Sequence, residues 1–260
     1  MNKFGVCELS LVPVRSAPSD DAEMSTQLLF GDLFQVTQKY KTWVYIRQEF
    51  DNYEGWIDEK QYTPIEEQTY RTLINLPTSV CLDYVNYLSS SNNTFLIPVL
   101  IGSSLHGLVK ETFYIGDTIY TYEGEILLPD TKPERGQILE NAMVFRNSPY
   151  LWGGKSPFGV DCSGFTQIVY KSSGLRLLRD ASQQATQGEN VHLLSEASPG
   201  DLAFFDNEQG KITHVGILLT RDRIIHASGK VRVDNIDHQG IYNQQRQTYT
   251  HNLRLIKTLF

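Results

Sequence analysis

Residues 159–165 read Gly-Val-Asp-Cys-Ser-Gly-Phe and stand directly before a segment in which apolar residues recur at helical spacing. Asp161 and Ser163 both suit the N-cap position of that helix. Cys162 would then lie in the first helical turn, where unpaired backbone N–H groups and the helix dipole favour a thiolate. We therefore expect Cys162 to be a nucleophile, provided that the fold brings a base to it.

Strand-like segments with short turns between them follow this helix. They span residues 201–205, 213–219 and 224–227. Such a succession predicts an antiparallel meander. A hairpin centred near residue 220 would place His214 directly opposite His226 on one face, because side chains alternate along a strand. If that face lies against the cysteine helix, a nucleophile, a base and a residue that orients the base come together.

These residue types suit the cleavage of an amide bond. Cys162 would attack a carbonyl carbon, and His214 would take the thiol proton and later deliver it to the leaving amine. His226 would orient the His214 ring through a hydrogen bond, as Asn or Asp does in papain-like sites. The backbone N–H of Cys162 would stabilise the oxyanion, with the Tyr150 hydroxyl as a second donor.

The composition is that of a globular protein with an acidic charge balance. The 260 residues are 40% hydrophobic and 20% charged, and the formal net charge is −7. This sign argues against nucleic acid and against an anionic membrane surface as partners. No apolar run reaches the ~20 residues that a membrane span needs, so no membrane partner is expected. The three cysteines, Cys7, Cys81 and Cys162, are odd in number and far apart, so we expect free thiols.

The first residues lack the long apolar core of a secretory signal, which favours the cytoplasm. A chain trimmed of its leader would look the same and would be periplasmic or secreted. We expect a monomer.

Three domains are expected along the chain. Residues 1–62 contain short strand-like runs broken by turn signals, which is typical of a small β-barrel. Residues 63–130 repeat this style with a poorer match, and we expect a second barrel there. A helical pattern begins near residue 133, and the following segments alternate between helix-like and strand-like. This predicts an α+β domain over residues 131–260.

Short motifs follow one another along the second half of the chain. They are Tyr150-Leu151-Trp152-Gly153-Gly154, Asp161-Cys162-Ser163-Gly164-Phe165, Arg179-Asp180-Ala181, Gly200-Asp201-Leu202, His214-Val215-Gly216-Ile217 and Ile225-His226-Ala227. Their order and spacing resemble those of NlpC-type cell-wall cysteine peptidases. The resemblance implies a papain-like fold and a triad of Cys162, His214 and His226, with Tyr150 and Trp152 lining the cleft. It also implies hydrolysis of an amide formed by the γ-carboxyl group of D-glutamate in peptidoglycan peptides.

The motifs at residues 14–18, 31–32, 43–44 and 55–57 resemble those of bacterial SH3-like domains. Two SH3-like barrels before a papain-like domain resemble the γ-D-glutamyl-L-diamino acid endopeptidases. That resemblance implies a substrate with a free N-terminal L-Ala and release of L-Ala-γ-D-Glu.

The same resemblance implies two binding sites on the substrate peptide. Glu23, Tyr53 and Asp161 would hold its N-terminal amine, because an ammonium group partly removed from water needs negatively charged partners. Ser163 and a serine after Arg179-Asp180 would bind the α-carboxylate of D-glutamate. In this sequence Ala181 occupies that place and Ser182 follows it, so Ser182 is the candidate.

Other interpretations of the same sequence stay open. The SH3-like domains and the last domain would form a module that binds cell-wall peptides without cleaving them. Alternatively, the papain-like domain would be an N-acyl amidase or acyltransferase. A zinc site on Cys162, His214 and His226 is a further alternative, but the usual closely spaced ligand pairs are missing, and we expect no metal or other cofactor. Whether meso-diaminopimelate or L-Lys follows D-glutamate is not indicated.

Overall fold

The computed structural model describes residues 3–260, and its contacts divide the chain into two compact units. The first unit ends at Thr131, and the second is Lys132–Phe260. All residues of the expected Cys–His–His set belong to the second unit. The three domain limits expected from the sequence stay predictions.

Antiparallel strands form one sheet at the start of the N-terminal unit. They are β1 Phe4–Val6, β2 Leu11–Arg15, β3 Met24–Leu29, β4 Leu33–Tyr40, β5 Trp43–Gln48, β6 Glu54–Asp58 and β7 Thr63–Ile65, with a 3₁₀ helix, Glu59–Gln61, after β6. Their order in the sheet is β3-β2-β6-β5-β4-β1-β7. Val12 and Val14 of β2 and Val44 and Ile46 of β5 enter one apolar core, because residues two apart share a face of a strand.

The rest of the N-terminal unit contains a helix and two smaller sheets. Its elements are α1 Glu67–Asn75, β8 Thr78–Cys81, β9 Val85–Ser90, β10 Asn93–Leu100, β11 Ser104–His106, β12 Thr112–Ile115, β13 Thr118–Tyr122 and β14 Ile126–Leu127. The sheets have the orders β10-β9-β13-β12 and β11-β8-β14. Phe30, which follows β3, packs in one cluster with Val99 and Phe113, so the segments before and after residue 62 share a core.

The second unit consists of helices packed on a larger antiparallel sheet. Its elements are α2 Arg135–Val144, β15 Lys155–Ser156, β16 Gly159–Val160, α3 Cys162–Lys171, α4 Ala181–Gln184, β17 Glu189–Val191, β18 Leu202–Asp206, β19 Ile212–Leu218, β20 Arg223–Ser228, β21 Lys230–Ile236, β22 Gly240–Asn243 and β23 Thr248–Thr258. The strand order is β17-β23-β18-β19-β20-β21-β22, and β22 also pairs with β23. Strands β18 to β23 therefore form a closed ring of pairings. No described helix has both the length and the apolar surface that a bilayer span requires.

Helix α3 lies against β19 and β20, and every one of its ten residues is buried. On its other side it packs on α2, where the rings of Phe145 and Phe165 meet edge to face with centroids 5.8 Å apart. A short helix that is apolar on several faces is stable only in such an enclosed position. Cys162, its first residue, is thereby held against the sheet.

The register of the β19–β20 hairpin differs from the sequence prediction. His226 pairs with Gly216, not with His214, so the expected direct opposition of the two histidines is wrong by two residues. The turn explains the difference, because the Leu219 N–H donates to the Arg223 carbonyl at 2.9 Å and the hairpin is centred one residue later than expected. A slip of two residues keeps the side chains on the same face, and His214 and His226 therefore still meet.

Candidate active site

The N-terminus of α3 is built by Asp161 and by glycines that allow close packing. Asp161 has extended backbone angles (φ −89°, ψ 178°), and its carboxylate accepts a hydrogen bond from the Gly164 N–H at 2.6 Å, as an N-cap does. A Cβ atom on Gly164 would lie 2.1 Å from the carbonyl oxygen of Gly154. Only glycine at this position lets residues 150–154 pass so close to the first helical turn.

The Asp161 carboxylate is also the partner of a buried arginine. Arg179 is 1% exposed and donates to both oxygens of Asp161, at 2.6 and 3.0 Å. The same guanidinium group donates to the Ser163 hydroxyl at 2.9 Å, and the Gly153 N–H donates to Asp161 at 2.9 Å. These contacts, with that of Gly164, occupy both carboxylate oxygens of Asp161 with protein donors.

The Cys162 sulfur faces the strand segment that carries His214. Its Sγ atom lies 4.0 Å from the carbonyl oxygen of Thr213, and the backbone N–H of Val215 is near enough to favour the ionised form of the thiol. Thr213 and Val215 are the two neighbours of His214 in β19. The structure thus brings the thiol to the backbone on both sides of the candidate base.

The two predicted histidines form a hydrogen-bonded chain that ends on a carboxylate. His214 Nε2 and His226 Nδ1 are 2.8 Å apart, and His226 Nε2 lies 2.9 Å from Oδ2 of Asp234. Arg232 donates to Asp234 from Nε at 2.7 Å and from Nη2 at 2.8 Å. Asp234 and Arg232 were not singled out from the sequence, because they lie on β21, a strand that no motif marked.

A third imidazole lies against the pair. The ring of His251, in β23, stacks on that of His214 with centroids 4.1 Å apart and planes 26° apart. Burial and the neighbouring His226 lower the pKa of His251 to about 4. No pattern in the sequence marks His251, and the pairing of β23 with β18 and β22 brings it to the site.

The thiol and its base are both held in their neutral forms. Burial, followed by the Asp161 charge, raises the pKa of Cys162 to about 12, against the opposing effects of the Val215 N–H and the Arg179 guanidinium. Burial, followed by the charges of His226 and His251 in their protonated forms, lowers the pKa of His214 well below its usual value. The thiolate expected from the helix terminus alone is therefore not the form that this environment favours.

Comparison with known proteins assigns the chain to a family. A protein named gamma-D-glutamyl-L-lysine dipeptidyl-peptidase, from Bacillus subtilis, is 30% identical over 225 residues, which cover 80% of this chain and 73% of that protein. A protein of the same name from Bacillus cereus is 31% identical over 233 residues, covering 79% of this chain and 67% of that protein. The sequence model of the NlpC/P60 family matches residues 147–251. The chain belongs to the NlpC/P60 family of cysteine peptidases.

Further matches describe the architecture of this NlpC/P60 chain. The model of the bacterial dipeptidyl-peptidase Sh3 domain matches residues 14–61, which comprise most of the first sheet. A solved structure of an NlpC/P60 family protein from Bacillus cereus has a TM-score of 0.83 and 21% identity, covering 98% of this chain and 99% of that chain. The fold is thus an NlpC/P60 domain preceded by an SH3-type domain with a β-barrel.

Two aromatic residues of the NlpC/P60 motif 150–154 differ in their surroundings. Burial, followed by the charges of Cys162 and Asp161 in their ionised forms, raises the pKa of Tyr150 to about 12, so its hydroxyl keeps its proton. Trp152 is 61% exposed. The roles of Tyr150 as an oxyanion donor and of Trp152 in the cleft stay predictions.

The serines expected to bind the substrate carboxylate lie in different environments. The Ser163 hydroxyl is buried with Arg179 and Asp161. Ser182 is exposed on α4, and Gln184 of the same helix donates to the carbonyl oxygen of Ser163 at 2.9 Å. The two serines are thereby linked through one helix, and their roles stay predictions.

Glu23 and Tyr53 belong to the N-terminal unit. Glu23 is exposed and directly precedes β3, and Tyr53 directly precedes β6. The register brings these strand ends near each other, because Arg15 of β2 pairs with Met24 on one side and with Trp56 on the other. The role of Glu23 and Tyr53 in amine binding stays a prediction.

Among residues 3–260, no group of three or more His, Cys, Asp and Glu side chains is arranged to hold a metal ion.

Proposed function

We propose that this protein cleaves the γ-D-glutamyl-L-diamino acid bond of peptides derived from peptidoglycan, acts on peptides with a free N-terminal L-Ala, and releases L-Ala-γ-D-Glu. The hydrogen-bonded His214–His226 pair beside the buried Cys162 thiol is the observation that carries the proposal. The names of the Bacillus relatives support the choice of bond. A papain-like scaffold and a second SH3-like barrel over residues 63–130 are parts of the same proposal.

The reaction would proceed through a thioester. The Cys162 thiol gives its proton to His214 while sulfur attacks the γ-carbonyl carbon of D-glutamate, and His226 keeps the His214 ring in position. The Cys162 backbone N–H and the Tyr150 hydroxyl donate to the oxyanion. The carbon–nitrogen bond then breaks as His214 protonates the leaving amine of the diamino acid. Water, deprotonated by His214, hydrolyses the thioester, and the proton returns to sulfur.

Selection of a free amine would depend mainly on Glu23 and Tyr53. Asp161 is the weaker candidate for direct contact, because Arg179, Gly153 and Gly164 already donate to its carboxylate. Its contribution to binding of the ammonium group would be small, because the buried Arg179 guanidinium balances its charge. A peptide with a blocked amine could not form the contact between its ammonium group and Glu23, which disfavours that substrate.

Carboxylate binding would involve the first turn of α3 and helix α4. The Arg179 guanidinium already contacts Ser163, and Ser182 would reach the ligand from its exposed position. A carboxylate accepts hydrogen bonds from such hydroxyl groups.

The direct test is to incubate the protein with L-Ala-γ-D-Glu-meso-diaminopimelate and with its L-Lys analogue under reducing conditions and to detect the released dipeptide by mass spectrometry. We expect product with at least one peptide and none with Cys162→Ala. Absence of product with both peptides would contradict the proposal. Binding of the peptides without turnover would favour the alternative of a cell-wall binding module.

The amine site is tested by comparing free and N-acetylated peptides. Glu23→Gln should lower kcat/KM for the free peptide, whereas Asp20→Asn, an exposed acidic neighbour, should leave it unchanged. Equal rates on free and acetylated peptides would remove the amine site from the proposal and favour an N-acyl amidase or acyltransferase.

A further inference from the structure

We propose that Asp234 is the residue that sets the tautomers of both active-site imidazoles, and that it thereby directs the basic lone pair of His214 away from His226. The consequence of this inference for catalysis rests on the proposed function. Its structural part concerns only the hydrogen-bonded chain of His214, His226 and Asp234.

The hydrogen-bonded chain of His214, His226 and Asp234 runs diagonally across the neighbouring strands β19, β20 and β21. His226 of β20 pairs with Gly216 of β19 and with Arg232 of β21. His214 lies two residues before Gly216, and Asp234 lies two residues after Arg232. Because residues two apart share a face, the three side chains lie on one side of the sheet and meet in sequence. Their links are the 2.8 Å contact of the two rings and the 2.9 Å contact of His226 with Asp234.

The direction of each hydrogen bond follows from the carboxylate. An ionised carboxylate only accepts, so the proton in the His226–Asp234 contact lies on His226 Nε2. A neutral imidazole has one N–H, and His226 Nδ1 is therefore an acceptor. The proton between the rings then lies on His214 Nε2, which leaves the lone pair of His214 on Nδ1. That nitrogen is the one that can accept the thiol proton.

Asp234 is ionised because of its own partners. Burial raises the pKa of Asp234, but the hydrogen bonds and charges of His226 and Arg232 outweigh this effect, and the net pKa is lowered. Arg232 donates to both oxygens. Because the Asp234–Arg232 ion pair has little net charge, it acts on His214 mainly by fixing the orientation and tautomer of the rings.

His251 does not compete for the hydrogen bonds that link His214, His226 and Asp234. His251 contacts His214 through its ring face, and its own Nδ1 lies 2.9 Å from the Thr250 hydroxyl oxygen. Both ring nitrogens of His226 are occupied, by His214 and Asp234. The tautomer of His214 therefore depends on Asp234 through His226.

The first experiment needs no substrate. Long-range ¹H–¹⁵N NMR spectra of the ¹⁵N-histidine-labelled full chain distinguish Nε2–H from Nδ1–H tautomers. We expect Nε2–H on both His214 and His226 near neutral pH. An Nδ1–H tautomer on either ring in the wild-type protein would overturn the inference. This measurement remains decisive even if a variant of Asp234 does not fold.

The second experiment uses Asp234→Asn with Asp222→Asn as its control. Asp222 lies exposed in the turn between β19 and β20, outside the chain of imidazoles. The single carboxamide oxygen of Asn cannot serve His226 and both N–H groups of Arg232. By analogy with a serine-protease triad whose carboxylate was replaced by an amide, where the wrong tautomer costs about 10⁴-fold, we expect kcat to fall at least about 100-fold with KM little changed.

The rate of Cys162 alkylation by iodoacetamide should fall in the same Asp234→Asn variant, with some Nδ1–H signal appearing on His214. If kcat and alkylation stay within about threefold of wild type, Asp234 does not position the histidines and the inference is overturned. If wild type has both Nε2–H tautomers but cleaves neither peptide, only the proposed function fails. If wild type cleaves the peptide but has the opposite tautomers, only this inference fails.

Discussion

The buried pair of Arg179 and Asp161 leads to a prediction with two readouts. Arg179→Met removes the cation and leaves the Asp161 carboxylate buried, and Asp161→Asn removes the anion and leaves the guanidinium. Asn is as good an N-cap as Asp, so the second change keeps a cap at the start of helix α3, but its amide nitrogen cannot accept the hydrogen bonds that reach one of the two carboxylate oxygens. Both variants break the ion pair between these two buried side chains.

The magnitude follows from burial. The side chains of Arg179 and Asp161 are 1% and 10% exposed, and their closest N–O distance is 2.6 Å. Removal of one member of such a buried pair typically costs about 3–5 kcal/mol. Arg254→Met is the matched control, because Arg254 is 62% exposed and lies 3.6 Å from Asp206. An exposed pair of that kind contributes only ~0–1 kcal/mol.

The two substitutions should change the reactivity of the Cys162 thiol in opposite directions. The Asp161 charge raises the pKa of Cys162 and the Arg179 charge lowers it. Asp161→Asn should therefore speed the alkylation of Cys162 by iodoacetamide at about pH 8, and Arg179→Met should slow it, because the thiolate is the reactive form. Urea unfolding followed by circular dichroism measures the loss of stability, and peptide mass spectrometry measures alkylation at Cys162.

Two results would refute this reasoning. One is a loss of stability in Arg179→Met that is no larger than the loss in Arg254→Met. The other is a change of the alkylation rate in the same direction for Asp161→Asn and Arg179→Met, which would show that packing at the helix start, not charge, controls the thiol.

Three further predictions concern residues around the histidines. Gly216→Ala should lower kcat and stability, because a Cβ atom there would lie 2.9 Å from the Cβ of His226; unchanged activity would contradict this. The pKa of His251 is lowered to about 4, so its neutral form is favoured in the folded state. The contribution of neutral His251 to the free energy of unfolding should be fully present above the pKa that His251 has in the unfolded chain. It should be lost as pH falls toward 4, by on the order of 2–3 kcal/mol. His251→Phe should flatten that part of the pH–stability curve measured by urea unfolding. Tyr150→Phe should lower kcat by about 10²-fold with KM nearly unchanged, as measured by steady-state kinetics. A rise in KM with kcat unchanged would contradict a role of the Tyr150 hydroxyl as an oxyanion donor.

Local signals in the sequence predicted the elements that hold the site. The N-cap, the apolar spacing after Cys162 and the strand–turn–strand pattern are properties of neighbouring residues, and α3, β18, β19 and β20 lie where these signals indicated. The common face of His214 and His226 was also predictable, because side-chain alternation survives an error of two residues in register.

Other features depend on long-range pairing and could not be predicted from local patterns. Asp234 and His251 reach the histidines because β21 pairs with β20 and because β23 pairs with β18 and β22. Helix α1 was also missed, although Tyr70 and Leu73, its two buried residues, are three positions apart. The rest of its sequence is polar apart from the exposed Ile74, and packing on the core of the N-terminal unit decides that it is helical.

The neutral state of the thiol changes how the site would work. A helix N-terminus favours a thiolate, but burial of Cys162 and the adjacent Asp161 carboxylate outweigh that effect. The same burial disfavours protonated His214, so the imidazole is an unprotonated base. Charge separation would then arise only when the proton moves from sulfur to His214. At that moment the Val215 N–H and Arg179 favour the thiolate, and His226, backed by Asp234, favours the imidazolium. In the proposed reaction the site would therefore stabilise charges that form as the proton moves, which is where stabilisation accelerates a reaction.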